Sequence, residues 1–164
     1  MNEEDVLKDM LEDINNIKIL RHMEIAKVDY AKNIMRYTEI DKLVVAEYLK
    51  KLESLGLLEI YGNTSIKRTS AKLKKSAEVH KHHTYYQITR KGEILLKMVD
   101  CRAYLKILGE NCLERLYIRL NKPVNLEESD ERILQMGLIG RHGELTEMGK
   151  NTIKFAKKRG FNPS

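Results

Sequence analysis

The chain has 164 residues, of which 42% are hydrophobic and 33% charged, and its net charge is +6. This balance predicts a globular protein of one domain or two small ones and argues against a disordered chain. No apolar run approaches the roughly 20 residues of a membrane span, and the acidic start MNEEDVLKDM differs from a secretory signal. We therefore expect a cytoplasmic protein with no membrane partner.

The first half of the chain has the periodicity of helices. Apolar residues recur every three or four positions from Val6 to Leu20, which predicts an amphipathic helix. Asp29 is placed to cap a short helix over residues 30–36, and Asp41 to cap a third helix that ends at Gly56. The expected core face of the third helix is Val45, Tyr48, Leu49, Leu52 and Leu55.

A β-hairpin is predicted next. Residues 57–61 have the composition of a strand, and residues 84–88, with the sequence TYYQI, form its expected antiparallel partner. Thr89 is then placed to cap another long helix. The pattern indicates a mainly α fold with small β-hairpins, which is an α+β class.

The element order helix, helix, helix, strand, wing, strand, helix is that of a winged helix-turn-helix domain. EYLKKLESLGLLEI resembles the end of the recognition helix and the start of the wing in MarR-type and ArsR-type transcription regulators. YYQITRKGEILL resembles their return strand and final helix. Together with HKHHTYY, the sequence most resembles an archaeal winged-helix family of unassigned function. The resemblance implies the fold and carries over no ligand.

Two pairs of similar short segments indicate an internal repeat. LESLGLLEI is repeated as ILQMGLIGR, and ITRKGEILL as LTEMGKNTI. Gly56 and Thr89 lie 33 positions apart, whereas the equivalent Gly137 and Thr146 lie 9 apart, so the first copy carries 24 additional residues. We predict a winged helix-turn-helix domain at residues 1–108, with a long basic wing at about residues 62–83, and an abbreviated winged-helix-like unit at residues 109–164.

The second copy is short before its hairpin. A helix is expected from Cys112 to Leu120, and another after Asn125, with Glu128 in a capping box. One helix is missing, so this unit is not expected to dock in a DNA groove as a full helix-turn-helix does. The two cysteines, at positions 101 and 112, fit helix cores. The basic end of the chain, Lys154, Lys157, Lys158 and Arg159, fits an ordinary helix C-terminus.

The inserted segment holds most of the excess positive charge. From Lys67 to Lys91 there are eight basic residues and one acidic residue, a local charge of +7, so the rest of the chain sums to −1. Charge gathered on one element is typical of a polyanion-binding surface, although a solvated loop has the same composition. The candidate DNA-binding residues there are Lys67, Arg68, Lys72, Lys74, Lys75, Lys81, His82, His83 and Arg90.

The third helix offers a weaker DNA-reading face. Its outward residues near the start are expected to be Lys42, Leu43, Ala46, Glu47 and Lys50. Base reading in the major groove favours Arg, Asn, Gln and Lys, whereas this face mixes two lysines with one acidic and two apolar residues. We therefore add Lys42 and Lys50 to the candidates and expect the wing to contribute most of the binding, through phosphates of double-stranded DNA.

Other functions are weighed on the same residues. His80, His82 and His83 could ligate a metal, but no carboxylate or cysteine completes a site, and phosphate contact is favoured. The sequence has no phosphate-binding loop and no nucleophile motif, so we expect neither an enzyme nor a cofactor. Transcription regulation is the expected role. A protein-interaction module within a larger assembly and an RNA-binding protein remain alternatives.

A homodimer is also predicted. Winged-helix regulators pair through helices outside the core, and the candidates here are the N-terminal helix and the long helix after Thr89. The apolar seam of the long helix exceeds what one small domain covers, although the second unit could cover part of it. The seam residues are Ile94, Leu95, Met98, Val99, Leu105 and Leu108.

Overall fold

The computed structural model describes residues 2–62, 83–121 and 124–162. Tertiary contacts divide the chain into two compact units, one of Lys18–Ile94 and one of Met1–Ile17 with Leu95–Ser164. These boundaries place the start of the chain with its second half, and so differ from the division at residues 108 and 109, which stays a prediction about the sequence repeat. Within the described ranges, no helix is long and apolar enough to cross a membrane.

Helices dominate the described residues, and one small antiparallel sheet accompanies them, so the predicted α+β class is confirmed. In chain order the elements are α1 (Glu3–Leu11), α2 (Ile14–Ala26), β1 (Val28–Tyr30), α3 (Ala31–Thr38), α4 (Lys42–Ser54), β2 (Leu58–Ile60), β3 (Tyr85–Ile88), α5 (Arg90–Met98), α6 (Cys101–Ile107), α7 (Glu110–Asn121), a 3-10 turn (Glu128–Asp130), α8 (Glu131–Gln135) and α9 (Glu147–Lys158).

The helix predicted from Val6 to Leu20 is wrong as a single element, because the chain breaks between α1 and α2. The Asp13 carboxylate accepts a hydrogen bond from the Asn15 amide at 2.9 Å, as an N-cap residue does. Glu12 turns its carboxylate to Arg132, 2.7 Å away. The apolar spacing continues across the break, so periodicity alone did not reveal it.

The sheet belongs to the unit Lys18–Ile94 and has the strand order β1-β3-β2. β2 and β3 pair antiparallel with Leu58 opposite Ile88, which confirms the predicted hairpin. β1 was not expected. Asp29 is not a helix cap but lies in β1 opposite Tyr86, and α3 begins two residues later.

The expected limits of α4 are confirmed. The Asp41 carboxylate caps the helix by accepting from the Leu43 amide at 2.9 Å. Gly56 follows the helix with a φ of +70°, a left-handed conformation that glycine adopts without strain. On the expected core face, Val45 and Leu49 are buried, as is Leu52, whereas Tyr48 and Leu55 are half-buried.

The long helix predicted after Thr89 is two helices. α5 ends at Met98, and the Asp100 carboxylate caps α6 by accepting from the backbone amides of Arg102 and Ala103, both at 2.9 Å. An aspartate that offers its side chain to the next turn favours a new helix start over continuation. The expected continuous seam is therefore interrupted.

Most of that seam is covered by the chain itself. Leu95, Val99 and Leu108 are buried, and Leu105 is half-buried. Ile94 and Met98 are 46% and 40% exposed. The long apolar surface that motivated a homodimer is thus largely absent from α5 and α6.

The second half of the chain departs from expectation in detail. The helix predicted from residue 112 is α7, and it begins at Glu110. The capping box uses Glu127 and Asp130, not Asn125 and Glu128, and it starts a 3-10 turn that leads into α8. Cys101 and Cys112 are half-buried, so neither is a full core residue.

The sequence repeat is also a repeat of hydrogen bonds. In the first copy, the Thr89 hydroxyl donates to the carbonyl oxygen of Gly56 at 2.7 Å. In the second, the Thr146 hydroxyl donates to the carbonyl oxygen of Gly137 at 2.8 Å. Both glycines have a φ of +70°. Each copy therefore joins the end of one helix to the start of another through the same threonine and glycine.

The hairpins of the two copies differ in how much chain they enclose and in the length of their pairing. Leu58 pairs with Ile88 in the first copy, and the equivalent Ile139 and Leu145 form a single antiparallel bridge in the second. The second hairpin closes with a tight turn in which the Gly140 amide donates to the Glu144 carbonyl oxygen at 2.7 Å. A short turn thus suffices for this geometry, so joining the two strands does not explain the 24 additional residues of the first copy.

Candidate nucleic-acid interface

A basic groove lies within the unit Lys18–Ile94, between the first turn of α3, the outer face of α4 and the start of β3. Its volume is about 460 Å³. Three of the predicted DNA-binding residues meet there, namely Lys42, Lys50 and His83. Lys32, which was not predicted, completes the set of cations, and every charged side chain among the described lining residues is basic. The remaining described lining residues are Tyr30, Ala31, Met35, Ala46, Leu49, Thr84 and Tyr86.

α4 places two of these lysines along one line. Lys42 is the first residue of the helix and Lys50 lies eight positions later, about 12 Å further along the axis. Ala46 lies between them and leaves room for a ligand to approach the helix. The buried Val45 and Leu49 anchor the adjacent face of α4 in the core, and Leu49 also lines the groove.

Lys32 is brought to the groove by the start of α3. The N-cap position of this helix is Tyr30, whose side chain makes no capping hydrogen bond. The first turn of a helix exposes backbone N–H groups and the positive end of the macrodipole, which favours an anion. Lys32 is exposed beside this end, so backbone and side chain present positive charge to the same space.

Aromatic rings form one wall of the groove. The His83 ring stacks on Tyr30, with ring centroids 4.6 Å apart and an interplanar angle of 24°. Tyr30 also contacts Tyr85, the residue opposite it in the sheet, at 5.4 Å. Because its ring is held by stacking on Tyr30, His83 has a fixed place at the mouth of the groove.

Both strand tyrosines keep their protons at neutral pH. Burial, with the nearby Tyr30 and Asp29, raises the pKa of Tyr85, and burial with the Glu53 carboxylate raises the pKa of Tyr86. A protonated phenol donates a hydrogen bond, as a contact to a phosphate oxygen requires. Both tyrosines are half-buried.

The other predicted site residues are not among the described residues that line the groove. Arg90 is the exposed first residue of α5 and does not line the groove. The wing residues Lys67, Arg68, Lys72, Lys74, Lys75, Lys81 and His82 fall outside the described residues, as does His80. The wing as a binding element therefore stays a prediction.

The start of α4 confirms the mixed character expected from the sequence. Lys42, Ala46, Glu47 and Lys50 are exposed, and Leu43 is 78% exposed. A leucine so exposed at the start of a helix contributes nothing to the core of this unit. It is available for contact with a partner, either the methyl group of a thymine or an apolar protein surface.

A second depression in the same unit was missed by sequence reasoning. His22 Nε2 lies 2.8 Å from a carboxylate oxygen of the buried Asp29, and the His22 ring stacks on the exposed Tyr37 at 5.3 Å. The other carboxylate oxygen of Asp29 accepts from the Tyr30 amide at 2.8 Å. This arrangement ties α2 to β1 and α3, and so supports the strand that carries Tyr30 into the groove. The sequence around Asp29 contains no motif that predicts its pairing with His22.

A comparison with protein families matches residues 7–99 to a model described as an uncharacterized protein conserved in archaea, DUF2250. The chain belongs to this archaeal family. The match confirms that the family is archaeal, as expected from the sequence, and it spans the groove residues Lys32, Lys42, Lys50 and His83. Searches of curated proteins and of solved structures give no significant match.

Proposed function

We propose that the chain is a winged helix-turn-helix protein that binds double-stranded DNA and acts in transcription regulation. The order of α2, β1, α3, α4, β2 and β3, with the β1-β3-β2 sheet, supports the winged-helix assignment. The resemblance of the α4 and β3 segments to MarR-type and ArsR-type regulators supports it as well. The observation that carries the DNA proposal is the groove where Lys32, Lys42 and Lys50 converge with His83.

In this proposal the groove binds the phosphate backbone. Three ammonium groups and the uncapped start of α3 supply positive charge, while Thr84 and the phenol of Tyr86 supply neutral donors. Lysine is a point charge that contacts a phosphate from many directions and carries little sequence information. The basic wing then extends the same kind of contact along the duplex, so binding is strong and largely independent of sequence.

A salt-dependence experiment tests the groove. We expect Lys32→Gln, Lys42→Gln and Lys50→Gln together to weaken binding to random-sequence duplex and to lower the slope of log affinity against log salt by about 3 units, about 0.9 for each phosphate contact. The matched control replaces three exposed cations of the same unit outside the groove, Lys18, Arg21 and Arg36. Equal slopes for the two variants would refute the groove as the contact surface.

A protein-interaction module is the second candidate, and the exposed Leu43 favours it. Base-reading helices place polar side chains where this leucine and the half-exposed Val44 lie. Replacing Leu43 with Gln removes an apolar contact without changing the charge. If the chain is a DNA-binding protein, this variant keeps its affinity for random duplex within about threefold, since phosphate contacts dominate. A wild-type chain without salt-dependent duplex binding would favour the second candidate.

An RNA-binding protein is the third candidate, and the same groove suits it. Phosphate contacts alone do not separate the two polymers, because the distinction rests on the 2′-hydroxyl and on helix form. Competition on one labelled DNA duplex by unlabelled duplex DNA and by duplex RNA of the same sequence separates them. We expect DNA to compete at least as well as RNA, and stronger competition by RNA would reassign the substrate.

A further inference from the structure

A second basic surface lies in the unit of Met1–Ile17 and Leu95–Ser164, where α6 meets the last two turns of α9. Lys154 and Lys158 line a shallow depression of about 410 Å³ there, beside Asn151 and Phe155. The guanidinium carbons of Arg102 and Arg159 lie 5.7 and 5.0 Å from the centroid of the Phe155 ring. We call Arg102, Lys154, Lys158 and Arg159, with the Phe155 ring between them, the α6–α9 surface.

Helix electrostatics account for only two of these four cations. Basic residues in the last turn complement the helix macrodipole, which explains Lys158 and Arg159 at the end of α9. Lys154 lies a full turn earlier. Arg102 is in the first turn of α6, the positive end of that helix, where a cation is unfavourable. The field of its own helix therefore does not explain Arg102, and its side chain is 72% exposed.

Carboxylates on the same surface neutralise little of this charge. Asp100 is the acidic residue among the described residues that line the depression, and its side chain caps α6. Its carboxylate lies 4.0 Å from Arg102, a distance at which an exposed ion pair contributes little. Glu147, at the other end of α9, is paired with Lys150 at 2.7 Å. Among the described residues, the positive charge of the α6–α9 surface is therefore compensated only weakly and is available to a partner.

The ring between the arginines decides the kind of partner. A guanidinium stacked on an aromatic face keeps its in-plane N–H groups free to donate to a phosphate. Phe155 is half-buried and approached by two guanidinium groups, so it offers little face for a base to stack on. The depression also has apolar lining residues, namely Val99, Cys101, Met148 and Phe155, but the cores of protein interfaces are depleted of charged residues, and four cations lie here.

We infer that the α6–α9 surface is a second contact for the phosphodiester backbone of DNA, separate from the groove and the wing. The inference rests on the proposed function and extends it to the second half of the chain. It also revises the sequence-based view of Lys154 and Lys158 as parts of an ordinary helix end. The second copy of the repeat, which lacks a helix of the helix-turn-helix, thus contacts phosphates without entering a groove.

The test compares two triple variants of the full chain on one random-sequence duplex. Arg102→Gln, Lys154→Gln and Lys158→Gln remove the surface, and Lys8→Gln, Lys106→Gln and Arg141→Gln remove three exposed cations elsewhere in the same unit. Fluorescence anisotropy across a salt series gives the slope of log affinity against log salt. We expect the first triple variant to lower this slope by about 3 units, and the second to leave it within about 1 unit of wild type.

Equal slopes for the two triple variants would overturn the inference. If the groove variant loses slope while the α6–α9 variant does not, the proposed function stands and only this inference fails. If the wild-type chain shows no salt-dependent affinity for the duplex, or if polyglutamate displaces the duplex as well as unlabelled DNA does, both fail. Thermal melting checks that each variant is folded. Lys154→Gln with Lys158→Gln, for which the expected loss is about 2 units, decides the matter if the triple variant is unstable.

Discussion

Neutralising the buried carboxylate of Asp130 should strongly destabilise the unit that contains α7 and α8. Asp130 is 1% exposed and accepts hydrogen bonds from Arg115 Nε at 2.6 Å, from Arg119, and from the Glu127 amide at 2.9 Å. Arg119 is itself only 8% exposed, and it also donates to the carbonyl oxygens of Arg115 and Asn125, each at 3.2 Å. One carboxylate thus compensates two arginines of α7.

The expected cost of Asp130→Asn follows from this burial. The amide keeps the shape and one acceptor but leaves the Arg119 charge buried without a counterion, and breaking a buried pair in this way costs about 3–5 kcal/mol. We expect about 3 kcal/mol because Asn still accepts one hydrogen bond. For a chain of this length, each kcal/mol lowers the melting temperature by about 2–4 °C, which gives a drop of about 6–12 °C.

Urea unfolding followed by circular dichroism measures this loss, and Glu127→Gln is the matched control. Glu127 also pairs with Arg115, at 2.7 Å, but its side chain is 62% exposed, so its charge should contribute at most about 1 kcal/mol. Losses of the same size in the two variants would refute the reasoning, because burial would then not decide the cost.

The pH dependence supplies a second readout of the same group. Burial raises the pKa of Asp130, but the hydrogen bonds from Arg115 and the Glu127 amide, with the charge of Arg119, outweigh it and leave the pKa below its ordinary value. A carboxyl with a lowered folded pKa stabilises the protein above about pH 4 and loses that effect as pH falls through the folded value. The stability difference between wild type and Asp130→Asn should therefore shrink below about pH 4.

Three further predictions concern single elements. Gly56→Ala should cost only about 1 kcal/mol, which is the strain of a left-handed alanine. Gly137→Ala should cost about 2–4 kcal/mol, because the added Cβ would also meet Ile14 Cγ1 at 2.6 Å. Equal free energies of unfolding for the two variants would contradict this. Asn16 is fully buried, and neither atom of its amide has a hydrogen-bond partner among the described residues, so Asn16→Leu should raise the free energy of unfolding by about 1 kcal/mol in urea titrations; a loss would show that the amide is bonded. The last variant replaces four wing lysines with Ala, namely Lys72, Lys74, Lys75 and Lys81. It should flatten the salt slope of duplex binding by about 3–4 units at an unchanged melting temperature. Wild-type affinity in this variant would contradict the wing as a contact.

Features that depend on neighbouring residues were predicted correctly from the sequence. The Asp41 cap and the left-handed Gly56 follow from local chemistry, and the composition of residues 57–61 and 84–88 predicted their pairing. The repeat was predicted from four short segments, and the matching bonds of Thr89 and Thr146 confirm it. Local conformation is set by side chains within a few positions, so it can be predicted from the sequence alone.

The sequence indicated only part of the candidate site. Lys42, Lys50 and His83 were chosen for their charge and position, and the groove contains all three. Lys32 was missed because the sequence-based candidates came from the third helix and the wing, and Lys32 precedes both. Its place in the groove depends on β1, and β1 pairs with a distant strand, with Val28 opposite Gln87, 59 positions later.

The tertiary structure decided the features that need distant partners. Helix breaks at Asp13 and Asp100 lie within continuous apolar periodicity, so the spacing predicted one helix where the packing supports two. In the sequence, Asp130 is one acidic residue among several near a turn. Its importance for stability follows from its burial beside Arg115 and Arg119, which only the tertiary structure shows. Whether a charged side chain stabilises a fold or serves a partner depends on its exposure and on which charges face it, and both are set by contacts between residues far apart in the chain.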